Sequence, residues 1–224
     1  MATRYKTVLF DMDGVLYDSM GNHAIAWCKS MNAFGYNMTE EDAFACEGMR
    51  GVETIRLIAK REKGTEVSEE EASKMYALKS EYYAQFPPAS LIPGVKDLHR
   101  MLCSHGITIG VVTGSGQPSL LNRILRDFDG LVSPDVIVTA NDIEHGKPAP
   151  DPYLMGMQKS GTKPEETIVV ENAPLGIRAA KAAQCFTIAV NTGPLPDSQL
   201  LDAGADILFH NMEEVKEWIE NKIK

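Results

Sequence analysis

The stretch Thr7-Val8-Leu9-Phe10-Asp11-Met12-Asp13-Gly14 decides the reading of this chain. Thr7 to Phe10 is a short apolar, β-branched run, the signature of a buried strand. It runs directly into two acids one residue apart, then a glycine. Five further runs of the same kind follow: Ile107 to Val112, Val136 to Val138, Thr167 to Val170, Thr187 to Val190 and Ala205 to Phe209. Amphipathic stretches of helical length separate most of them, such as Gly94 to His105 and Pro174 to Gln184. Strands alternating with helices predict an α/β fold with a parallel sheet covered on both faces. In such sheets ligands bind beyond the carboxyl ends of the strands.

The alternation breaks between about Tyr17 and Ser90, where helical patterns occur without a convincing strand. Thr39-Glu40-Glu41-Asp42 and Ser68-Glu69-Glu70-Glu71 read as helix starts, a capping residue followed by first-turn acids. Pro87-Pro88 and Pro93-Gly94 punctuate the far end. The expected organisation is a core of residues 1–17 and 91–224 with a helical insert of residues 18–90.

Four polar clusters fall beyond apolar runs: Asp11-Met12-Asp13-Gly14, Thr113-Gly114-Ser115-Gly116, His145-Gly146-Lys147-Pro148 and Glu171-Asn172-Ala173-Pro174. On a parallel sheet these loops converge at one edge. Together they suit phosphoryl transfer. A carboxylate can attack phosphorus, and a second acid can serve the leaving group. Mg²⁺ takes oxygen ligands, which Asp11, Asn172 or Glu171 and a backbone carbonyl can supply. Lys147 and Thr113 suit a clamp on the transferring group's charge. Each cluster has a plainer alternative: solvated acids, a simple turn at Thr113-Gly114, a solvated Lys147, or Asn172 capping a helix. Their joint occurrence at strand ends favours the site.

With 224 residues, 44% hydrophobic, the chain has ordinary globular composition. A net charge of -9 weighs against a nucleic-acid or anionic-membrane partner. No apolar run is long enough to span a bilayer, and the start does not read as a signal peptide, so a cytoplasmic location is expected; no single patch argues for assembly, so a monomer is the default. Cys28, Cys46, Cys103 and Cys185 form no CxxC pair and read as buried reduced thiols. His99, His105 and His210 read as surface residues. Loops of the GxxxxGK[ST] and GxSxG types are absent.

Through the four clusters the chain resembles the haloacid dehalogenase superfamily, in its β-phosphoglucomutase-like branch. The resemblance implies a Rossmann-like core with an all-helical cap. It implies Asp11 as nucleophile and Asp13 as general acid/base, with Asp13 also giving Mg²⁺ its backbone carbonyl. Thr113, Gly114, Ser115 and Lys147 would bind phosphate, and Glu171 and Asn172 would occupy the metal motif. Family members more often carry Glu-Asp where this chain has Glu171-Asn172, which removes one negative charge beside the metal. In the cap, His23 and Lys79 match residues that reach the closed site. Gly51 stands where mutases place an arginine for a second phosphate; Arg50 is adjacent but is expected to point elsewhere, and Glu47 stands where they have a lysine. A carboxylate there is expected to reach the Mg²⁺ or its waters on closure. That pattern is similar to an inorganic pyrophosphatase of this branch. Pyrophosphate is therefore the first expected substrate, with Lys79, and Arg50 or His23, on its second phosphate. A small sugar or polyol phosphate, or β-phosphoglucomutase activity, is the alternative. Retained metal residues speak against a dehalogenase, and intact Asp11, Asp13, Thr113 and Lys147 against a non-catalytic phosphate binder.

Overall fold

The computed structural model describes residues 4–116 and 118–223. Six strands form one sheet: β1 (Thr7–Asp11), β2 (Thr108–Val112), β3 (Ile137–Val138), β4 (Thr167–Glu171), β5 (Phe186–Val190) and β6 (Ile207–Phe209). Their order is β3-β2-β1-β4-β5-β6, and every pairing is parallel. All six expected strands are present, shifted by one or two residues at their ends. All five residues of β1 are buried. Val8 and Phe10 join one apolar cluster and Leu9 the other, as the two-residue period of a doubly covered strand requires.

The chain passes from β1 to β2 on one side and reaches β4 on the other. Between β1 and β4 lies the switch point where such sheets open a crevice. Asp11 ends one of these strands and Glu171 the other.

Four helices lie between β1 and β2 before the core resumes: α1 (Met20–Ala33), α2 (Glu40–Ala45), α3 (Gly51–Lys63) and α4 (Glu69–Tyr83). Both expected helix starts are full capping boxes. Thr39 Oγ1 accepts from Asp42 N at 3.2 Å while Asp42 Oδ2 accepts from Thr39 N at 2.9 Å. Ser68 and Glu71 repeat the arrangement. Met31, Ile55, Ile58 and Met75 centre the insert's apolar cluster, which extends to Ile177, Leu195 and Leu200 of the core. The two chain crossings pair with each other. Asp18 N donates to Ser90 O at 2.9 Å, Ile92 N donates to Leu16 O at 2.9 Å, and Tyr17 bridges Leu91.

The core continues with α5 (Val95–Ser104), α6 (Pro118–Phe128), α7 (Asp151–Ser160), α8 (Pro174–Ala182), α9 (Asp197–Asp202) and α10 (Met212–Ile223). No helix among the described residues is long and apolar enough to cross a membrane.

Two sequence expectations fail here. His99 is fully buried, not at the surface. It lies on the apolar face of α5, one turn after Val95 whose carbonyl its Nδ1 meets at 2.8 Å, and its ring packs between Phe10 and Phe128. Burial holds its pKa down at about 3, so the ring is neutral. Of the four free thiols only Cys46 and Cys185 are buried; Cys28 is half-buried and Cys103 exposed.

Candidate active site

The parallel register sets the carboxyl ends of β1, β2 and β4 side by side, with Asp11 opposite Val112 and Phe10 opposite Val170. Thr113 and Glu171 therefore flank Asp11. Lys147, in the loop before α7, is almost wholly buried, and its Nζ donates to Asp11 Oδ1 and, at 2.6 Å, to Glu171 Oε1. Burial opposes the lysine's charge, but the two carboxylates outweigh it and keep Lys147 protonated. Burial raises Asp11 to about 8 despite Lys147, and Glu171 and Asp13 add repulsion.

Glu171, expected in the metal motif, is held by hydrogen bonds on both carboxylate oxygens. Its Oε1 accepts from Lys147 and from Tyr153 OH at 2.5 Å. Its Oε2 accepts from the backbone N–H groups of Asn172 at 3.0 Å and Ala173 at 3.3 Å. Four donors occupy the carboxylate's acceptor positions, and through them Glu171 anchors Lys147. Tyr153, which sequence reasoning missed, is completely buried.

Asp13 heads a second chain of contacts. Its Oδ1 accepts from Ser19 Oγ at 2.5 Å and lies 3.3 Å from His23 Nε2. His23 Nδ1 lies 2.7 Å from Lys79 Nζ. An ammonium only donates, so Nδ1 is an acceptor and the proton of neutral His23 sits on Nε2, aimed at Asp13. Burial lowers the His23 pKa, consistent with that tautomer. Burial pushes Asp13 up, but His23, Ser19 and Lys79 outweigh it and hold the acid at about 2. Lys79 is 6% exposed, and burial lowers it to about 8. No carboxylate of the described residues forms an ion pair with it.

Glu47 is buried, and its Oε1 accepts from Asn172 Nδ2 at 2.7 Å. Burial raises its pKa well above the usual range, with Asp11, Glu171 and Asp13 adding to the rise. Asn172 does not cap α8; Ala173 holds that position. Asn172 Oδ1 is instead a buried acceptor with no hydrogen-bond partner. Gly14, at φ +80°, lets the backbone pass this pair, since a Cβ there would lie 2.0 Å from Asn172 Nδ2. Among the described residues no three acidic, histidine or cysteine side chains converge on one point. A divalent ion would thus rest on a mixed oxygen set, and the residues fit one. The orphaned Asn172 Oδ1 needs a positive partner, and of the nearby Asp11, Asp13 and Glu47 only Asp11 forms an ion pair with a lysine among the described residues.

The insert's loop at Glu47 to Arg50 covers the core loops. Gly48 lies against the Lys147 side chain, and Gly114 against the Gly48 carbonyl. Arg50, expected to point away from the position of the mutase arginine and offered beside His23 for a second phosphate, donates from Nη1 to Glu144 O at 2.9 Å, outside the cavity, its stem running along Gly146. It ties insert to core. Thr113 is buried and its Oγ1 accepts from Ser115 N at 3.1 Å, which frees its hydroxyl proton to donate; Gly114 and Ser115 line the cavity. The cavity itself, about 210 Å³, runs from Asp11 and Asp13 to Lys79 between Trp27, Tyr76 and Tyr83.

A doubly wound parallel sheet with paired acids at its switch point and a helical insert above them defines a hydrolase class. The chain belongs to the haloacid dehalogenase-like hydrolases, whose family model matches residues 8–190. It is 32% identical over 212 residues to hexitol phosphatase A of Escherichia coli, covering 95% of this chain and 94% of that one. It is 30% identical to validoxylamine A 7'-phosphate phosphatase of Streptomyces hygroscopicus, covering 95% and 96%. A solved candidate β-phosphoglucomutase from Bacteroides vulgatus superposes with a TM-score of 0.94 at 45% identity, covering 100% of this chain and 92% of that one.

Proposed function

We propose that this chain is a metal-dependent phosphohydrolase that attacks a small phosphorylated substrate with Asp11. Asp11, oriented by Lys147, would displace the leaving group from phosphorus and carry an aspartyl-phosphate. The Thr113 hydroxyl, with the backbone of Gly114 beside it, would hold the phosphoryl oxygens, with Lys147 opposing their charge. Mg²⁺, held by Asp11, the Asp13 carbonyl, Asn172 Oδ1 and Glu47 or its waters, would supply charge compensation at the phosphoryl oxygens. Asp13 would protonate the leaving oxygen and later take a proton from the water that releases phosphate. In the free protein it is held ionised; an arriving phosphate anion opposes that and raises its proton affinity. The helices α1–α4 would act as a cap that excludes water.

The leaving group has two readings. The named relatives act on organic phosphates, as their names state, which favours a small sugar or polyol phosphate. The other reading places a second anionic group at the cavity's far end, as pyrophosphate would. The observation that carries it is Lys79, a buried cation without a carboxylate partner, pointed at the cavity from α4.

Phosphate release with Mg²⁺ decides between them, measured from pyrophosphate and from sugar and polyol phosphates, in wild type, Asp11→Asn and Lys79→Met. Pyrophosphate should be turned over fastest and should suffer most from Lys79→Met. Faster turnover of the organic phosphates would transfer the assignment to the second reading. Full activity in Asp11→Asn would refute the mechanism itself.

A further inference from the structure

Glu47 lines two cavities. The first is the one that runs from Asp11 and Asp13 to Lys79. The second, about 220 Å³, has Asn172, Gly14 and the loop from Asn191 to Leu195 in its wall. Glu47 and Met20 line both and form the partition between them. Asn172 faces the second cavity alone, and its buried Oδ1 is the acceptor without a hydrogen-bond partner.

The wall of the second cavity grades from buried to exposed. Glu47, Asn172 and Phe44 are buried, Asn191 and Thr192 half-buried, and Asp18, Gly21 and Gly193 exposed. The cavity is thus a passage from solvent to the Glu47–Asn172 pair. Hydrogen bonds keep its walls in place. Thr192 Oγ1 donates to Gly14 O at 2.6 Å, which fixes the loop after β5 against the turn that carries Asp13. Asn191 Nδ2 donates to Leu195 O at 2.8 Å and holds that loop in shape.

The two cavities differ in charge. Lys79 and Arg123 line the first, and both repel a cation. Among the described residues no lysine or arginine lines the second, and Asp18 stands at its rim. We infer that the second cavity is the route by which a divalent cation, with part of its hydration shell, enters and leaves the site at Asn172. The inference rests on the reading above that an ion binds at Asn172 Oδ1 and Glu47. Oxygen groups line the whole way: the Asp18 carboxylate at the rim, the Asn191 and Thr192 side chains along the wall, and Asn172 Oδ1 at the end. Substrate and ion then reach the site from separate sides, and neither has to pass the other.

Side chains added at the rim test the route, because both rim glycines accept one. A Cβ on Gly21 would meet nothing within 4 Å, and one on Gly193 only the Phe44 ring, at 3.8 Å. Gly21→Leu and Gly193→Leu therefore narrow the passage at points away from Asp11, Asp13 and Asn172. Mn²⁺ uptake and release are followed by stopped flow against a fluorescent chelator, with no substrate present. Each leucine should slow uptake and release together, by about fivefold or more, and leave the dissociation constant unchanged. An obstruction raises the barrier in both directions and does not alter the bound state. Gly21→Ala and Gly193→Ala should keep wild-type rates, which separates obstruction from a stiffer backbone. Where one leucine variant does not fold, the other carries the comparison. Rates within about twofold of wild type in the folded leucine variants overturn the route. So does a changed dissociation constant with uptake unaltered. Wild-type protein that binds no Mn²⁺ would instead sink the ion reading itself.

Discussion

Glu47→Gln should make the metal-free protein more stable and the same protein a poorer metal binder. The amide can still accept from Asn172 through its Oε1, so the 2.7 Å hydrogen bond survives and only the charge goes. In the wild type that carboxyl is buried and faces Asp11, Glu171 and Asp13, which together raise its pKa well above 4.5. An acid whose folded pKa exceeds its unfolded one binds its proton more tightly when folded. Stability is therefore lost as pH climbs from the unfolded value toward the folded one. Near neutral pH, relief of one like-charged neighbour at an effective dielectric of about 20 is worth about 2 kcal/mol. For a chain of this size that is a rise in melting temperature of about 4–8 °C. The wild type's decline in metal-free stability above pH 4.5 should flatten in the variant. Loss of one charged oxygen near the ion should weaken Mg²⁺ or Mn²⁺ binding by about 10–100-fold, a range seen for groups that support a metal site. Melting curves in EDTA from pH 5 to 9 and metal titration by calorimetry read both effects. A lower melting temperature in EDTA, or unchanged metal affinity, would refute the reasoning.

Tyr153→Phe removes the hydroxyl that donates to Glu171 Oε1 in a fully buried setting. It should cost about 1–3 kcal/mol in thermal unfolding and slow phosphate release, because Glu171 no longer fixes Lys147; an unchanged melting temperature and rate would deny Tyr153 that part. Asp42→Ala dismantles the capping box at Thr39 and the ion pair with Arg61. The loss should be about 1 kcal/mol by denaturant titration at neutral pH. The Arg61 hydrogen bond and the Thr39 amide hold Asp42 at about 2, below its ordinary 3.8. Its contribution is therefore complete above pH 3.8 and fades as pH falls toward 2, so the gap between variant and wild type should narrow over that interval. A gap that stays constant down to pH 2 would count against the charged form as its source.

The convergence of the polar clusters was legible because each is local to a strand end. Asp11, Thr113 and Glu171-Asn172 each follow a short apolar run, and parallel strands must end side by side. The insert's helix starts were legible for a similar reason, since a capping box is complete within four residues. What escaped is set by tertiary contact. Nothing adjacent to Tyr153 announces that its hydroxyl reaches Glu171, and Ser19 gains meaning only when α1 brings it to Asp13. The hydrogen-bond role of Glu171 was hidden because its type and position suit a metal equally well; the four donors around it come from three separate segments. His99 was misread although a signal existed. It falls four residues after Val95 and three before Leu102, on the helix stripe that faces the sheet. Gly51 was noticed for the side chain it lacks, but the ring of Tyr76 that fills the space comes from a different helix.

The paired crossings between core and insert bear on how the two bodies can move. Two independent single strands would allow the insert to twist and translate freely. Here Leu16 to Asp18 and Ser90 to Ile92 are hydrogen-bonded into one short ribbon, with the Arg123 guanidinium 4.1 Å from the Tyr17 ring centroid and bonded to the Ala89 carbonyl. A ribbon bends readily across its face and resists shear within its plane. Any swing of the insert would thereby be steered toward a single arc, one that keeps Glu47 and Lys79 at a fixed depth above Asp11.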